Sequence, residues 1–361
     1  MSNLFDYLAW RGDLTLKQAP LNEVDCLIFS RFTYLALDGI IPHDFHHEIT
    51  FAQCAQKYFQ TPHPTYLQQK DDEKLLKILG SCPRFATLKL CGFRNEISVQ
   101  HEKQLACMTI KLPKANLIAY RGTDDTLVGL KEDLNMSFME TVPCQQDGLK
   151  YFADALQALP EPFYVTGHSK GGNIALYIAL CCTLAQRRRL KKVYSFDGPG
   201  FSDKVLQQID AKDSNKIIAA YVPQSSIIGM LLGHVENYTV VHSQQTSILQ
   251  HDLYSWDILA PNGFVCEQQV DASSLFIDQT LKDWLNEISD EQRENFINIV
   301  FDVLKATQAT RLQELTTERL ATAKKVITEL SLLDKQQRSL ALSLISSLIQ
   351  TGIKNRNVLK N

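Results

Sequence analysis

Much of what this chain of 361 residues does is bounded by what it lacks. Its nine cysteines are scattered without a Cys-x-x-Cys pair, so neither a disulfide framework nor zinc-ligand spacing is signalled, and a reducing cytoplasm is the expected compartment. No cofactor or metal is called for by any motif. No apolar run is long enough to cross a bilayer; the longest, roughly Leu340 to Ile353, is short and rich in serine. The start, Met1-Ser2-Asn3-Leu4-Phe5-Asp6-Tyr7, has neither the basic residues nor the apolar stretch of a signal peptide, so export is not expected. Charge of one sign is lacking too: 37 basic and 40 acidic residues are interspersed for a net charge of −3, which offers nucleic acid no electrostatic footprint. A phosphate-binding G-x-x-x-x-G-K-[ST] loop is missing. Proline disappears after Gly263, and glycine recurs there only at Gly352, so the last quarter of the chain reads as helix.

What is present is an ordinary globular composition, 45% hydrophobic and 21% charged, able to bury a substantial core. Residues up to about Pro83 read as mainly helical. Ala106 to Ile110 and Asn116 to Tyr120 read as two strands of a hairpin around Pro113. Helical spacing returns at Gly148 to Leu159. A buried strand follows at Phe163 to Thr166, then a helix over Asn173 to Leu184 and strands at Val193–Phe196, Ile217–Val222 and Tyr238–Val241. This alternation predicts a mostly parallel sheet flanked by helices. Two regions are expected, residues 1–269 carrying the sheet with a helical N-terminal part and 270–361 forming a helical extension. In the extension, Ser289 and Gln292 have capping-box spacing, and Phe296, Val300, Val303 and Leu304 form a stripe that reads as a packed face.

The chemistry concentrates at Gly167-His168-Ser169-Lys170-Gly171, a full G-x-S-x-G with a strand before it and a helix after it. That context predicts a nucleophile elbow, in which a serine stands at the tip of a strained turn and glycines permit tight backbone approach. The expected fold is therefore an α/β-hydrolase, with Ser169 as nucleophile. Gly171, Ala175 and Ala179 give the following helix a small-residue face towards the sheet, bringing its positive end to the serine. One oxyanion donor is expected to be the N–H of Lys170, whose side chain reads as solvated rather than as a Ser-Lys dyad partner. The loop Tyr120-Arg121-Gly122-Thr123-Asp124 is placed to supply the second donor, with Arg121, Asp124, Asp125 and Asp133 fixing it or forming surface ion pairs.

Tyr120-Arg121-Gly122-Thr123, Glu132-Asp133-Leu134 and Gly167-His168-Ser169-Lys170-Gly171-Gly172 together resemble the class 3 lipases, whose segments read aromatic-Arg-Gly-Thr/Ser, Asp-Leu and Gly-His-Ser-Leu-Gly-Gly. The likeness spans about Asn116 to Trp256. More closely, Asp6-Tyr7-Leu8-Ala9-Trp10-Arg11-Gly12-Asp13 and Gln250-His251-Asp252-Leu253-Tyr254-Ser255-Trp256 resemble an uncharacterised bacterial lipase-like branch. The resemblance gives Thr123 a role in the oxyanion hole and implies a small carboxylic ester or lipid-like substrate.

The triad order Ser, acid, His leaves His234, His242 and His251 as bases. His251 is favoured because it follows the last strand and lies in the segment that resembles the lipase histidine region; His234 is the runner-up, and His242 fits a structural role at a strand end. His168 precedes any acid and is expected to pack beside the sheet. The lipase acid segment aligns with Ser225-Ser226-Ile227-Ile228, which has serine where aspartate is expected. Asp197, after the next strand, is the substitute that a likeness to pancreatic-type lipases suggests; a turn-capping role in Asp197-Gly198-Pro199-Gly200 is its alternative. His43-Asp44-Phe45-His46-His47-Glu48 matches no metal spacing and reads as a polar loop. The segment Asp124 to Thr141, and with it the helical tail, is a candidate lid. A non-catalytic binding protein on the same fold, and an acyltransferase using the same serine, remain open beside the hydrolase.

Overall fold

The computed structural model describes residues 2–360 except 64, 67, 209–213, 235, 307–308, 312–324, 327 and 330. Its strands are β1 (Ile49–Thr50), β2 (Lys89–Ser98), β3 (Lys103–Leu112), β4 (Ala115–Tyr120), β5 (Phe163–His168), β6 (Leu190–Phe196), β7 (Ile218–Pro223), β8 (Tyr238–Val241), β9 (Ile258–Leu259), β10 (Gly263–Phe264) and β11 (Cys266–Glu267). Nine of them make the central sheet, in the order β1-β2-β3-β4-β5-β6-β7-β8-β11, and β9 and β10 form a small ribbon apart from it. From β4 to β8 all pairings are parallel, and those outside are antiparallel. The parallel part is where crossover helices join successive strands, so its strand ends on one side are free to carry a site.

Both faces of the sheet are covered. The N-terminal helices α1 (Leu4–Arg11), α2 (Glu23–Phe32), α3 (Phe51–Tyr58) and α4 (Gln69–Leu79) join Leu90, Leu117, Phe196 and Trp256 in one apolar core. After α5 (Leu127–Asn135), α6 (Pro143–Ala158) and α7 (Lys170–Cys181) pack with Ile118, Val165 and Val193 in a second core. Short helices α8 (Leu184–Arg187) and α9 (Asp203–Gln208) follow, and α10 (Ala272–Glu287), α11 (Asp290–Ala306) and α12 (Lys335–Lys354) form the tail. This is a mixed α/β architecture, a large and mostly parallel central sheet flanked by helices. Among the described residues no helix is long and apolar enough to cross a membrane.

Three local expectations need correction. β2 lies where no strand is expected: Gly92 at φ 64 and a register shift between Cys91 and Arg94 break the alternation that marks a strand. The helix expected from Asn173 begins at Lys170, because Gly171 and Gly172, poor helix formers, are held in place by the close packing of α7 on the sheet. The packed face of α11 is broader than the expected stripe: Val303 is buried and Phe296 and Leu304 pack on apolar clusters as expected, but Ile297, Ile299 and Phe301 are buried as well, and the Ser289–Gln292 capping box forms.

Candidate active site

Ser169 sits between β5 and α7 with φ 57 and ψ −130, a conformation that costs a non-glycine residue about 1–3 kcal/mol and persists only where surrounding packing enforces it. That packing is visible. The Ser169 N–H donates to the Phe196 carbonyl at 2.9 Å, tying the elbow to the end of β6. A Cβ on Gly167 would overlap the Gly171 carbonyl, and one on Gly171 would overlap the Tyr120 carbonyl and stand 2.9 Å from the Arg121 carbonyl carbon. The sequence requirement for glycine on both sides of the serine is thus a requirement of space. The first N–H groups of α7 have no acceptor within the helix, and they open beside Ser169.

The loop after β4 comes close to the same point. A Cβ on Gly122 would stand 2.6 Å from the His168 carbonyl and 2.9 Å from Ser169 Cβ, so Arg121-Gly122-Thr123 runs against the nucleophile. Thr123 Oγ1 donates to Asp133 Oδ2 at 2.5 Å, and Arg121 binds Asn95 and Asp124, each at 3.0 Å, which anchors the loop from both ends.

His251 and Asp197, expected from sequence as base and acid, are brought together. His251 Nδ1 donates to Asp197 Oδ2 at 2.6 Å, and Asp197 is 1% exposed. The other carboxylate oxygen accepts from Ser226 Oγ at 2.5 Å and from the Gly229 N–H at 3.1 Å. Since Nδ1 carries the proton in this contact, the neutral imidazole leaves Nε2 with its lone pair. Asp197, at φ 48 after β6, therefore orients an imidazole instead of capping the turn that follows it. The His251 backbone is held by its neighbours: His168 Nε2 donates to the His251 carbonyl at 2.9 Å, and the Trp256 indole N–H donates to the Gln250 carbonyl at 2.8 Å. Among the described residues no hydrogen bond joins the Ser169 hydroxyl to His251.

His168 does more than pack beside the sheet. With Nε2 committed as donor to a carbonyl, Nδ1 accepts from the Tyr34 hydroxyl at 2.8 Å. Burial, then the nearby His251 and Arg31, pushes its pKa well below the ordinary histidine value, so it is neutral. The other two base candidates are paired elsewhere, His234 with Glu236 at 2.8 Å and His242 with Asp257 at 2.6 Å.

Lys170 corrects the expectation of a solvated side chain. Its ammonium is fully buried, 3.1 Å from Glu132 and 3.5 Å from Asp133, both on α5. Burial alone would lower its pKa; Asp133 and Glu132 more than reverse this, so the group is a permanent cation. Periodicity along one helix could not reveal a partner brought in from 38 residues away. His43 to Glu48 is a polar loop, with Asp44 accepting from the His46 and His47 N–H groups, and among the described residues no cluster suits a metal ion.

Ser169 opens into an apolar cavity of about 420 Å³. Its walls come from Leu130 and Met136 on and just after α5, Ile228 and Met230 after β7, and, from the tail, α10 and α11.

A family profile described as Mbeg1-like matches residues 79–302, more than half of the chain and all of its parallel sheet. The chain belongs to the Mbeg1-like family. No curated protein matches it. Among solved structures, a triacylglycerol lipase whose catalytic centre is a serine-protease triad is 15% identical over 60% of this chain and 77% of its own, with a TM-score of 0.35. Lipase II from Rhizopus niveus is 14% identical over 47% and 70%, at 0.33, and a mutant form of MDLA from Penicillium cyclopium 12% over 69% and 86%, at 0.39. Superpositions this loose transfer no residue role, so in this Mbeg1-like chain the site rests on its own contacts. Sequence reasoning missed several of them, among them the Ser226 hydroxyl as a partner of Asp197 and the tail as a wall of the cavity. Ser226 did leave a signal, standing where the lipase pattern has its acid.

Proposed function

We propose that the protein is a serine hydrolase cleaving a carboxylic ester of lipid-like character through an acyl-enzyme on Ser169. The observation that carries this reading is the chain of contacts from Ser226 through Asp197 to His251, whose ring lies against His168, the neighbour of an elbow serine at a helix N-terminus. Ser169 Oγ attacks the ester carbonyl carbon while its proton passes to His251 Nε2. The developing oxyanion is held by the backbone N–H groups of Lys170 and Thr123, and Asp197 stabilises the imidazolium. The imidazolium returns its proton to the leaving alcohol, and water, activated by the same base, releases the acid. Glu132, Asp133 and Lys170 hold the oxyanion loop and α5 against the nucleophile helix. Nine cysteines without a disulfide suit a reducing, cytoplasmic setting. The boundary near residue 270 separates the hydrolase region from a helical extension. The test is turnover of p-nitrophenyl esters by wild type and by Ser169→Ala: activity lost in the variant supports the reading, and activity retained by a folded variant contradicts it.

A further inference from the structure

The tail is not an appendage hung away from the chemistry. Arg293 on α11 donates through Nη1 to the Ser137 carbonyl, just past α5, at 2.6 Å, and through Nη2 to the Ile288 and Leu285 carbonyls at the end of α10. Lys131 on α5 donates to Asn298 on α11 at 2.7 Å, and the Leu127 N–H donates to the Thr310 carbonyl at 2.9 Å. These contacts join α10 and α11 to the segment that follows the oxyanion loop. The same two helices line the cavity that reaches Ser169, through Leu281 and Trp284 of α10 and Phe296 and Ile297 of α11. Trp284 and Phe296 meet edge to face at 6.1 Å between ring centres, and the Trp284 indole nitrogen is buried without a hydrogen-bond partner among the described residues. Apart from charged groups such as Asp278 and Lys282, the space is apolar, so it would hold a hydrocarbon chain far better than a sugar or a peptide.

We infer that α10 and α11 form the acyl-chain wall of the site, with Leu281 and Phe296 setting which chain length is accepted. This rests on the hydrolase reading above and adds the substrate class: esters of a single medium-length fatty acid. At about 420 Å³ the cavity lies towards the small end of ligand sites, enough for one chain and too little for several. Each methylene it buries raises kcat/KM by roughly fourfold, until the cavity is full.

The experiment is a p-nitrophenyl ester series from acetyl to palmitoyl on the full chain, with wild type, Leu281→Trp and Phe296→Ala. Wild type is expected to peak between octanoyl and dodecanoyl. Leu281→Trp should move the peak to shorter chains and Phe296→Ala to longer ones. Unmoved profiles in folded variants that still turn over esters overturn the inference and leave the hydrolase reading standing. Decanoic acid binding to Ser169→Ala, followed by Trp284 fluorescence with Trp284→Phe as control, tests the wall without catalysis. Saturable binding weakened by Leu281→Trp supports it, and the absence of binding overturns it. Failure of wild type to hydrolyse any ester while decanoic acid still binds counts against the hydrolase reading alone.

Discussion

In the proposed mechanism Asp197 takes the work of the acid from a place in the chain where the lipase pattern does not put it, and Ser226 stands where that pattern does. In the lipase pattern a carboxylate is expected at the position of Ser226; here the serine hydroxyl instead donates to Asp197, whose free oxygen serves His251. Asp197→Asn should leave the fold intact and lower kcat by about 10⁴-fold, since the amide favours the wrong imidazole tautomer. Ser226→Ala removes one hydrogen bond to the carboxylate, worth about 1 kcal/mol or more, and should lower kcat roughly five- to tenfold with KM little changed. Steady-state kinetics on both variants, beside thermal denaturation, checks this pair; equal activity of Asp197→Asn and wild type would remove Asp197 from the site. His168 carries a separate, pH-linked expectation. Its native pKa is depressed, so below its ordinary value of 6.5 the unfolded chain takes up a proton that the native chain does not. Stability linked to His168 is therefore present above pH 6.5 and lost as pH falls below it. Urea denaturation between neutral pH and about pH 5 should show a shallower loss in His168→Gln than in wild type. A steeper or equal loss contradicts a buried neutral imidazole. Ser169 was legible in the sequence because G-x-S-x-G is local and geometrically demanding, whereas the tasks of Ser226 and His168 depend on partners distant in sequence.

At the scale of elements, α7 is bound to α5 by charge. Lys170 and Glu132 are both fully buried, and Glu132 also accepts from the Gln104 and Cys144 N–H groups at 2.9 and 2.8 Å. Removing one partner strands the other charge, so Lys170→Met should destabilise the protein by about 3–5 kcal/mol, and adding Glu132→Gln should restore part of that. Denaturant unfolding of the two variants tests it; a wild-type midpoint for Lys170→Met would mean the pair is solvated. Such a tie also bears on the candidate lid, since α5 is held to the nucleophile helix on one side and to α11 on the other. The parallel strands were readable as short apolar runs between helical stretches, and β8 falls on its expected residues, Tyr238–Val241. The bulged β2 and the true start of α7 were not, because packing against neighbours overrode local preference in both.

For the whole molecule, the alternation of strands and helices sufficed to predict a mostly parallel sheet flanked by helices, while the path of the tail did not show in its sequence. A stretch of helix formers says that helices form, and only the folded chain says that two of them line a cavity ending at Ser169. Sheet, the loop after β4 and tail therefore converge on one serine, and its reactivity is most directly tested by intact-mass analysis after exposure to a fluorophosphonate. Wild type should gain a single adduct that maps to Ser169, and Ser169→Ala should gain none; a folded wild-type protein that stays unmodified, or a variant that is modified equally, would contradict the assignment of Ser169 as nucleophile.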